Sequence, residues 1–179
     1  MPASLHVRTW LPLTAAALCA STSGFAETFL TADGAQTAMF GATNFSASPV
    51  TLSSEQVSAI KKRAGVNVRN TQLDARRSAA GDWFIVDQVL GKHEFITFAL
   101  GIDGSGKVKG LEILEYRETY GGQVRHADWR ERFVGKNPES PLKLDQDIPN
   151  ISGATLSSRH VTEGVRRLLA TYELVLRHL

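Results

Sequence analysis

Cysteine is nearly absent from this sequence. Cys19 is the single cysteine among 179 residues, so the chain cannot form an internal disulfide, a cysteine-rich metal site or the paired attachment of a c-type haem. The histidines show no metal-ligand spacing either, and we expect no metal site.

A strong imbalance of charge is also lacking. Lysine and arginine number 20 against 18 aspartates and glutamates, a formal net charge of +2, so no basic field favours nucleic acid as a partner. The apolar share of 42% is ordinary for a globular protein. A chain of this length can bury a core without metal or disulfide staples, so its function has to be sought in local sites.

Residues 1–26 have the layout of a secretory signal peptide. An apolar stretch runs from Trp10 to Ala20 after a weakly basic start, and Gly24 and Ala26 are the small residues expected before cleavage at Glu27. The apolar stretch is about half the roughly 20 residues that a membrane-spanning helix needs. We therefore expect an exported protein, periplasmic or extracytoplasmic, with an uncleaved N-terminal anchor as the alternative. Cleavage would remove the single thiol, so a redox role would require a cofactor held by other groups.

Residues 27–81 are predicted to form an N-terminal lead segment with a short helix. Its first half shows no sustained helical period and is expected to be irregular, with at most a short strand. A small helix is predicted over residues 54–64, with Ser53 or Ser54 as the N-cap.

Residues 82–179 are predicted to form the main domain. Segments rich in aromatic and β-branched residues at 82–90, 94–102 and 108–116 predict three strands, and Asp103–Gly106 is typical of a hairpin turn. Short turns between consecutive strands predict an antiparallel meander.

The C-terminal segment gives the clearest helical pattern. Apolar residues recur at helical spacing from Val161 to Leu179, which predicts a helix over 157–177 with an apolar stripe on the sheet. A short helix is predicted over 128–134 and a loop over 136–151. The expected fold class is α+β, an antiparallel sheet packed by a long C-terminal helix and shorter helices.

A run of small and hydroxyl-bearing residues precedes that helix. Small side chains let a ligand approach the backbone, and glycine frees the turn conformation. The positive end of the helix favours a phosphate at this point. The hydroxyls can equally cap free backbone N–H groups, so a plain capping turn explains the same pattern. The run is Ser152, Gly153, Ala154, Thr155, Leu156, Ser157 and Ser158.

The string Ser-Gly-Ala-Thr-Leu-Ser at 152–157, followed by an amphipathic helix, resembles the flavinylation motif of the FMN-binding domain family. That family includes FMN-carrying subunits of the sodium-pumping NADH:quinone oxidoreductase and of the Rnf complex, and the extracytoplasmic domain of nitrous-oxide-reductase regulatory proteins. The resemblance spans roughly residues 82–178. It implies that a dedicated flavin transferase attaches FMN covalently through a phosphoester to Thr155, outside the cytoplasm.

The segment 118–122 resembles a loop that lies over the flavin in related domains. The resemblance implies that Gly121 and Gly122 allow backbone contact with the cofactor, that Glu118 and Thr119 hydrogen-bond the ring edge, and that Tyr120 stacks on the ring. An ordinary loop at a strand end explains each residue individually.

One position departs from the family pattern. The family usually has an aspartate three residues before the motif serine, where this chain has Pro149, with Asp147 and Asn150 nearby. This departure puts the efficiency of modification in question.

Several basic residues are candidates to neutralise the FMN phosphate or to dock a redox partner, although a solvated helix face explains them as well. They are Arg125, Arg130, Arg132 and Lys136.

These features predict an electron carrier that relays electrons between an unidentified donor and acceptor, soluble or membrane-bound. No paired acid and base groups mark a substrate pocket, so a carrier or an oxidoreductase component is favoured over a self-contained enzyme. The alternative is a non-redox binding or sensory module of the same fold without covalent flavin, which Pro149 favours.

Overall fold

A computed structural model describes residues 27–179. The expected signal peptide and Cys19 lie outside these described residues. No helix within residues 27–179 is both long enough and apolar enough to cross a bilayer.

An antiparallel sheet is the centre of the fold. Its strand order is β1-β7-β6-β5-β4-β2, and β3 pairs with β4 beside that path. The strands are β1 (Glu27–Thr28), β2 (Phe45–Ala47), β3 (Val50–Thr51), β4 (Gln72–Ser78), β5 (Trp83–Leu90), β6 (Phe95–Ile102) and β7 (Val108–Tyr116).

The predicted meander is confirmed as β5, β6 and β7. Strand β5 pairs with β6 from Trp83 opposite Ile102 to Leu90 opposite Phe95, and β6 pairs with β7 with two register irregularities. Strand β6 is buried on both faces because helices cover the sheet from two sides. The observed architecture is the expected α+β class.

The lead segment is more regular than expected. The prediction of irregular structure before residue 53 was wrong, because this part contains helix α1 (Ala32–Phe40) as well as β1, β2 and β3. Thr31 caps α1 by accepting a hydrogen bond from the N–H of Gly34 at 3.1 Å. Only Ala35 and Met39 of α1 are buried, and so few apolar positions leave a weak helical period. The helix covers the second face of the sheet.

Strand β4 was also missed by sequence reasoning. Its inward residues are small or isolated, Leu73 and Ala75, and charged Arg76 and Arg77 follow them, so its apolar alternation is weak. Pairing with β2, β3 and β5 supplies the order that its own sequence does not signal, a case of tertiary pairing overriding local pattern.

The predicted helix over 54–64 is confirmed as α2 (Ser54–Ala64). Ser53 is the N-cap and forms a reciprocal capping box with Gln56. Gly65 ends the helix in the left-handed conformation. Buried Ile60 and Ala64 attach α2 to the main core.

The C-terminal helix begins earlier than predicted. The C-terminal helix is α4, because the short helix α3 (Ala127–Arg130) comes before it in the chain. Helix α4 spans Thr155–Leu174, and a 3-10 turn, Leu176–His178, follows it. It therefore starts two residues earlier than predicted and ends three residues sooner. Val161, Val165 and Leu168 are completely buried, which confirms the apolar stripe on the sheet.

The short helix predicted over 128–134 is shorter and partly 3-10. Helix α3 ends at Arg130, and a 3-10 turn, Glu131–Phe133, follows it. Residues 136–151 form a loop as predicted, apart from a single bridge between Leu144 and Ile148.

A buried ion pair attaches α4 to the sheet. The guanidinium of Arg167 pairs with the carboxylate of Asp87 on β5, and the two side chains are 4% and 12% exposed. Removing one partner would leave the other charge buried without compensation.

We predict that Asp87→Ala lowers the free energy of unfolding by about 3–5 kcal/mol, because Arg167 would remain buried and unpaired. The matched control is Asp33→Ala, which breaks the ion pair with Arg76 at 2.6 Å, where the aspartate side chain is 84% exposed. That change should cost less than about 1 kcal/mol. Urea unfolding measures the free energy of unfolding of both variants. An equal loss in the two would contradict the claim that burial makes the pair of Asp87 with Arg167 the more important one.

Candidate functional site

Thr155 is the first residue of α4. Gly153 has φ of +80°, and Ala154 is the N-cap residue, with no side-chain hydrogen bond capping the helix. The capping-turn explanation of the hydroxyl run was therefore wrong. The first-turn N–H groups have no partner inside the helix, and they lie beside Thr155.

The hydroxyls of this run have different surroundings. Ser157 and Ser158 are buried, and the hydroxyl of Ser158 donates to the carbonyl oxygen of Ala154 at 3.1 Å. Thr155 is partly exposed, whereas Ser152 is exposed. The hydroxyl of Thr155 makes no hydrogen bond with any group in residues 27–179, which leaves it available for chemistry.

The hydroxyl of Tyr116 connects the start of α4 to the loop that follows β7. It donates to the carbonyl oxygen of Tyr120 at 2.5 Å and lies 3.0 Å from the hydroxyl oxygen of Ser157. Because the single phenolic proton goes to the carbonyl, the Ser157 hydroxyl is the donor in the second bond. Burial raises the pKa of Tyr116 above its ordinary value, against the opposing effect of the Ser157 hydrogen bond, so the phenol keeps its proton at neutral pH.

Gly121 lies where this loop meets the helix. Its φ is +92°, and a Cβ added there would lie 2.5 Å from the Tyr116 hydroxyl and 2.9 Å from that of Ser157. A side chain at position 121 would therefore both strain the backbone and displace the bond between Tyr116 and Ser157. The two segments singled out in the sequence are thus brought into direct contact.

Glu118 is engaged within the fold. Its Oε1 accepts hydrogen bonds from the N–H groups of His93 at 2.6 Å and Glu94 at 3.0 Å. Burial acts to raise the pKa of Glu118, but these backbone hydrogen bonds outweigh it and the pKa is lowered. One carboxylate oxygen therefore fixes the turn between β5 and β6.

The rest of the loop faces solvent to different degrees. Thr119 is exposed, Tyr120 is 82% exposed, and Gly122 is half-buried. Leu156, on the first turn of α4, is 40% exposed. Two apolar surfaces, Tyr120 and Leu156, are therefore uncovered on either side of the junction between loop and helix.

Three of the four predicted phosphate cations have partners inside the fold. Arg130 pairs with Glu112, and Lys136 lies 3.1 Å from a carboxylate oxygen of Asp147. The guanidinium of Arg125 lies 4.1 Å from the centre of the Phe29 ring. These contacts give Arg125, Arg130 and Lys136 structural roles. Arg132, the fourth candidate, is exposed.

Different basic residues lie beside Thr155. A cavity of about 300 Å³ is lined by Thr155 itself and by Lys143, Arg159 and Arg166, together with Asp145, Glu163 and other residues. We call it the Thr155 cavity. Sequence reasoning did not single out these three cations, although the four-residue spacing between Thr155 and Arg159 is the signal for a shared helix face.

The loop before the motif has its own constraints. Asp147 accepts hydrogen bonds from the N–H groups of Leu142 at 3.1 Å and Lys143 at 2.9 Å, so its carboxylate is directed into its own loop. The carbonyl oxygen of Pro149 accepts a hydrogen bond from the indole of Trp129 at 2.8 Å. Pro149 thus fixes the approach of the chain to α4 through its backbone.

Residues 91–170 match the model of the FMN-binding domain family. The matched region includes β6, β7, the loop at 118–122 and most of α4, so both segments of the site lie within it. This match confirms the resemblance over residues 91–170.

The chain is similar to a curated relative and to a solved structure. The relative belongs to the Na⁺-translocating ferredoxin:NAD⁺ oxidoreductase complex of Acetobacterium woodii, as one of its subunits. It is 29% identical over 82 residues, which cover 41% of this chain and 40% of that protein, so the chain matches well under half the length of this relative. The solved structure is that of one of the subunits of the Na⁺-translocating NADH-quinone reductase from Parabacteroides distasonis. It aligns with a TM-score of 0.46 and 14% identity, over 68% of this chain and 94% of that one.

We predict that Tyr116→Phe loosens the loop at 119–122, because it removes the bond to the Tyr120 carbonyl and leaves the buried Ser157 hydroxyl without its acceptor. The expected cost is about 1–3 kcal/mol in the free energy of unfolding, with faster amide hydrogen exchange in the loop. The control is Tyr172→Phe, which removes a hydrogen bond to the Gly104 carbonyl at 3.2 Å and should leave exchange at 119–122 unchanged. Unaltered exchange in Tyr116→Phe would contradict the bridging role.

Proposed function

We propose that this protein carries FMN joined through a phosphoester to the side-chain oxygen of Thr155 and acts as an exported electron-transfer flavoprotein. The observation that carries the proposal is the position of Thr155. Its hydroxyl is partly exposed, makes no hydrogen bond within residues 27–179, and stands at the first residue of a helix of 20 residues.

The residues around Thr155 fit such a group. Backbone N–H groups in the first turn of α4 and the helix dipole favour a phosphate. A Cβ added at Gly153 would meet nothing within 4 Å, so the backbone there is open to an approaching ligand. The exposed side chains of Tyr120 and Leu156 offer apolar surface to a planar ring.

The attachment is a transfer of the flavin phosphate to a hydroxyl. With a flavin phosphoanhydride as the donor, the oxygen of Thr155 forms a bond to the flavin phosphorus and the P–O bond of the anhydride breaks. The departing phosphate group leaves as the anion, and the hydroxyl proton passes to it or to solvent. Relative to the free chain and free FMN, the product has lost one water. A flavin transferase is the proposed catalyst of this step.

Once attached, FMN supplies reversible uptake of one or two electrons. The role of the chain is to hold the phosphate at the start of α4 and to keep the loop at 118–122 beside it through Tyr116. The curated relative is named as part of a multi-subunit oxidoreductase complex, so we propose that the electron donor and acceptor are proteins, soluble or membrane-bound.

Export is proposed from the N-terminal sequence. Residues 1–26 have the signal-peptide layout, and a covalent bond suits a protein that would otherwise lose free FMN by dilution. A retained N-terminal anchor is the alternative arrangement and leaves the attachment chemistry unchanged.

We predict that the protein, exported from a host that produces a flavin transferase, gains the mass of one FMN less one water. Thr155→Ala should abolish the gain, because the accepting oxygen is lost, while Thr155→Ser should retain part of it. Intact-mass spectrometry measures all three. Ser54→Ala is the matched control, because it removes an exposed hydroxyl at the first residue of another helix, α2, outside the motif, and should keep the modification.

An unmodified, colourless protein under those conditions would contradict covalent attachment and would favour the non-redox binding or sensory module. Circular dichroism of Thr155→Ala establishes that it folds, so that loss of the mass gain reports on the acceptor. Loss in the serine variant with an intact fold would show that the methyl group of Thr155 is required.

A further inference from the structure

The charges in the Thr155 cavity are not neutralised by ion pairs. Lys143, Arg159 and Arg166 line it together with Asp145 and Glu163, so three positive side chains stand against two negative ones. None of the five belongs to an ion pair formed within residues 27–179. The excess of one positive charge equals the single negative charge of a phosphodiester.

Arg159 and Lys143 are the cations best placed for a group at Thr155. Arg159 follows Thr155 by four residues, which puts their Cβ atoms about 5–6 Å apart on one face of α4. Lys143 comes from the facing loop, where its N–H donates to the Asp147 carboxylate at 2.9 Å, so the backbone that carries it is fixed.

Arg166 has a different position and a different partner. It lies eleven residues beyond Thr155, about 16 Å along the helix axis. Its Nη1 donates to the carbonyl oxygen of Leu142 at 3.2 Å. Arg166 therefore contributes to the field of the cavity and to the attachment of the loop.

We propose that Arg159 and Lys143 bind the phosphate group of the flavin in the Thr155 cavity, Arg159 through the paired N–H groups of its guanidinium and Lys143 as a point charge. The identity of the ligand rests on the proposed function. The binding of a phosphate group is separate from the covalent step, since the cavity and its charges exist before any bond to Thr155 forms.

The test uses the unmodified chain, produced without a flavin transferase, titrated with inorganic phosphate and followed by ¹H–¹⁵N NMR. We expect saturable shifts of the amides at 154–159 and 143–145. Arg159→Gln and Lys143→Gln should each weaken binding roughly 3- to 10-fold, the range for charged hydrogen bonds at a partly solvated site. Both side chains are exposed, so the variants should fold.

Arg177→Gln is the matched control, because it removes the same charge from an exposed position beyond the far end of α4, outside the cavity, and should leave binding unchanged. No saturable shift at these amides, or equal weakening by Arg177→Gln, would overturn the proposal. Mass gain without phosphate binding would overturn this proposal alone. Phosphate binding without mass gain would instead overturn covalent attachment and leave the phosphate site in place.

Discussion

The hydroxyl of Tyr116 holds the candidate site together. It stands at the end of β7, where the chain leaves the sheet, and bonds both to the carbonyl of Tyr120 and to Ser157 on α4. These two bonds fix the loop at 118–122 against the start of a helix that lies much further along the chain. Gly121 makes the close contact sterically possible.

The second constraint is the rigidity of α4. Its apolar stripe is buried on the sheet, and Arg167 anchors it to Asp87. Within the first turn the roles of the hydroxyls are separated: those of Ser157 and Ser158 are used inside the fold, whereas that of Thr155 has no hydrogen-bond partner among residues 27–179. A rigid helix that presents one unbonded hydroxyl is the physical basis for proposing a single attachment point.

Local patterns predicted the central elements and missed those stabilised from a distance. The meander and α2 have strong alternation or capping signals, so their sequences suffice. Strand β4 carries adjacent arginines and is ordered by its neighbours, and α1 buries only Ala35 and Met39. The motif at 152–157 was identifiable from its residues, and the four-residue spacing from Thr155 could have indicated Arg159. Lys143 could not be found in this way, because it reaches the cavity through a loop that no local period describes. The ion pairs of Arg130 with Glu112 and of Lys136 with Asp147 likewise depend on the tertiary fold and could not be predicted from local sequence.

The central claim is that Thr155, and no neighbouring hydroxyl, bears the flavin. Trypsin cleaves after Lys143 and Arg159, which releases residues 144–159 as one peptide with Ser152, Thr155, Ser157 and Ser158. Fragmentation of this peptide from the exported protein in a tandem mass spectrometer locates the modification. The account predicts fragment masses that assign FMN to Thr155, and assignment to one of the serines, or a peptide without flavin, would contradict it.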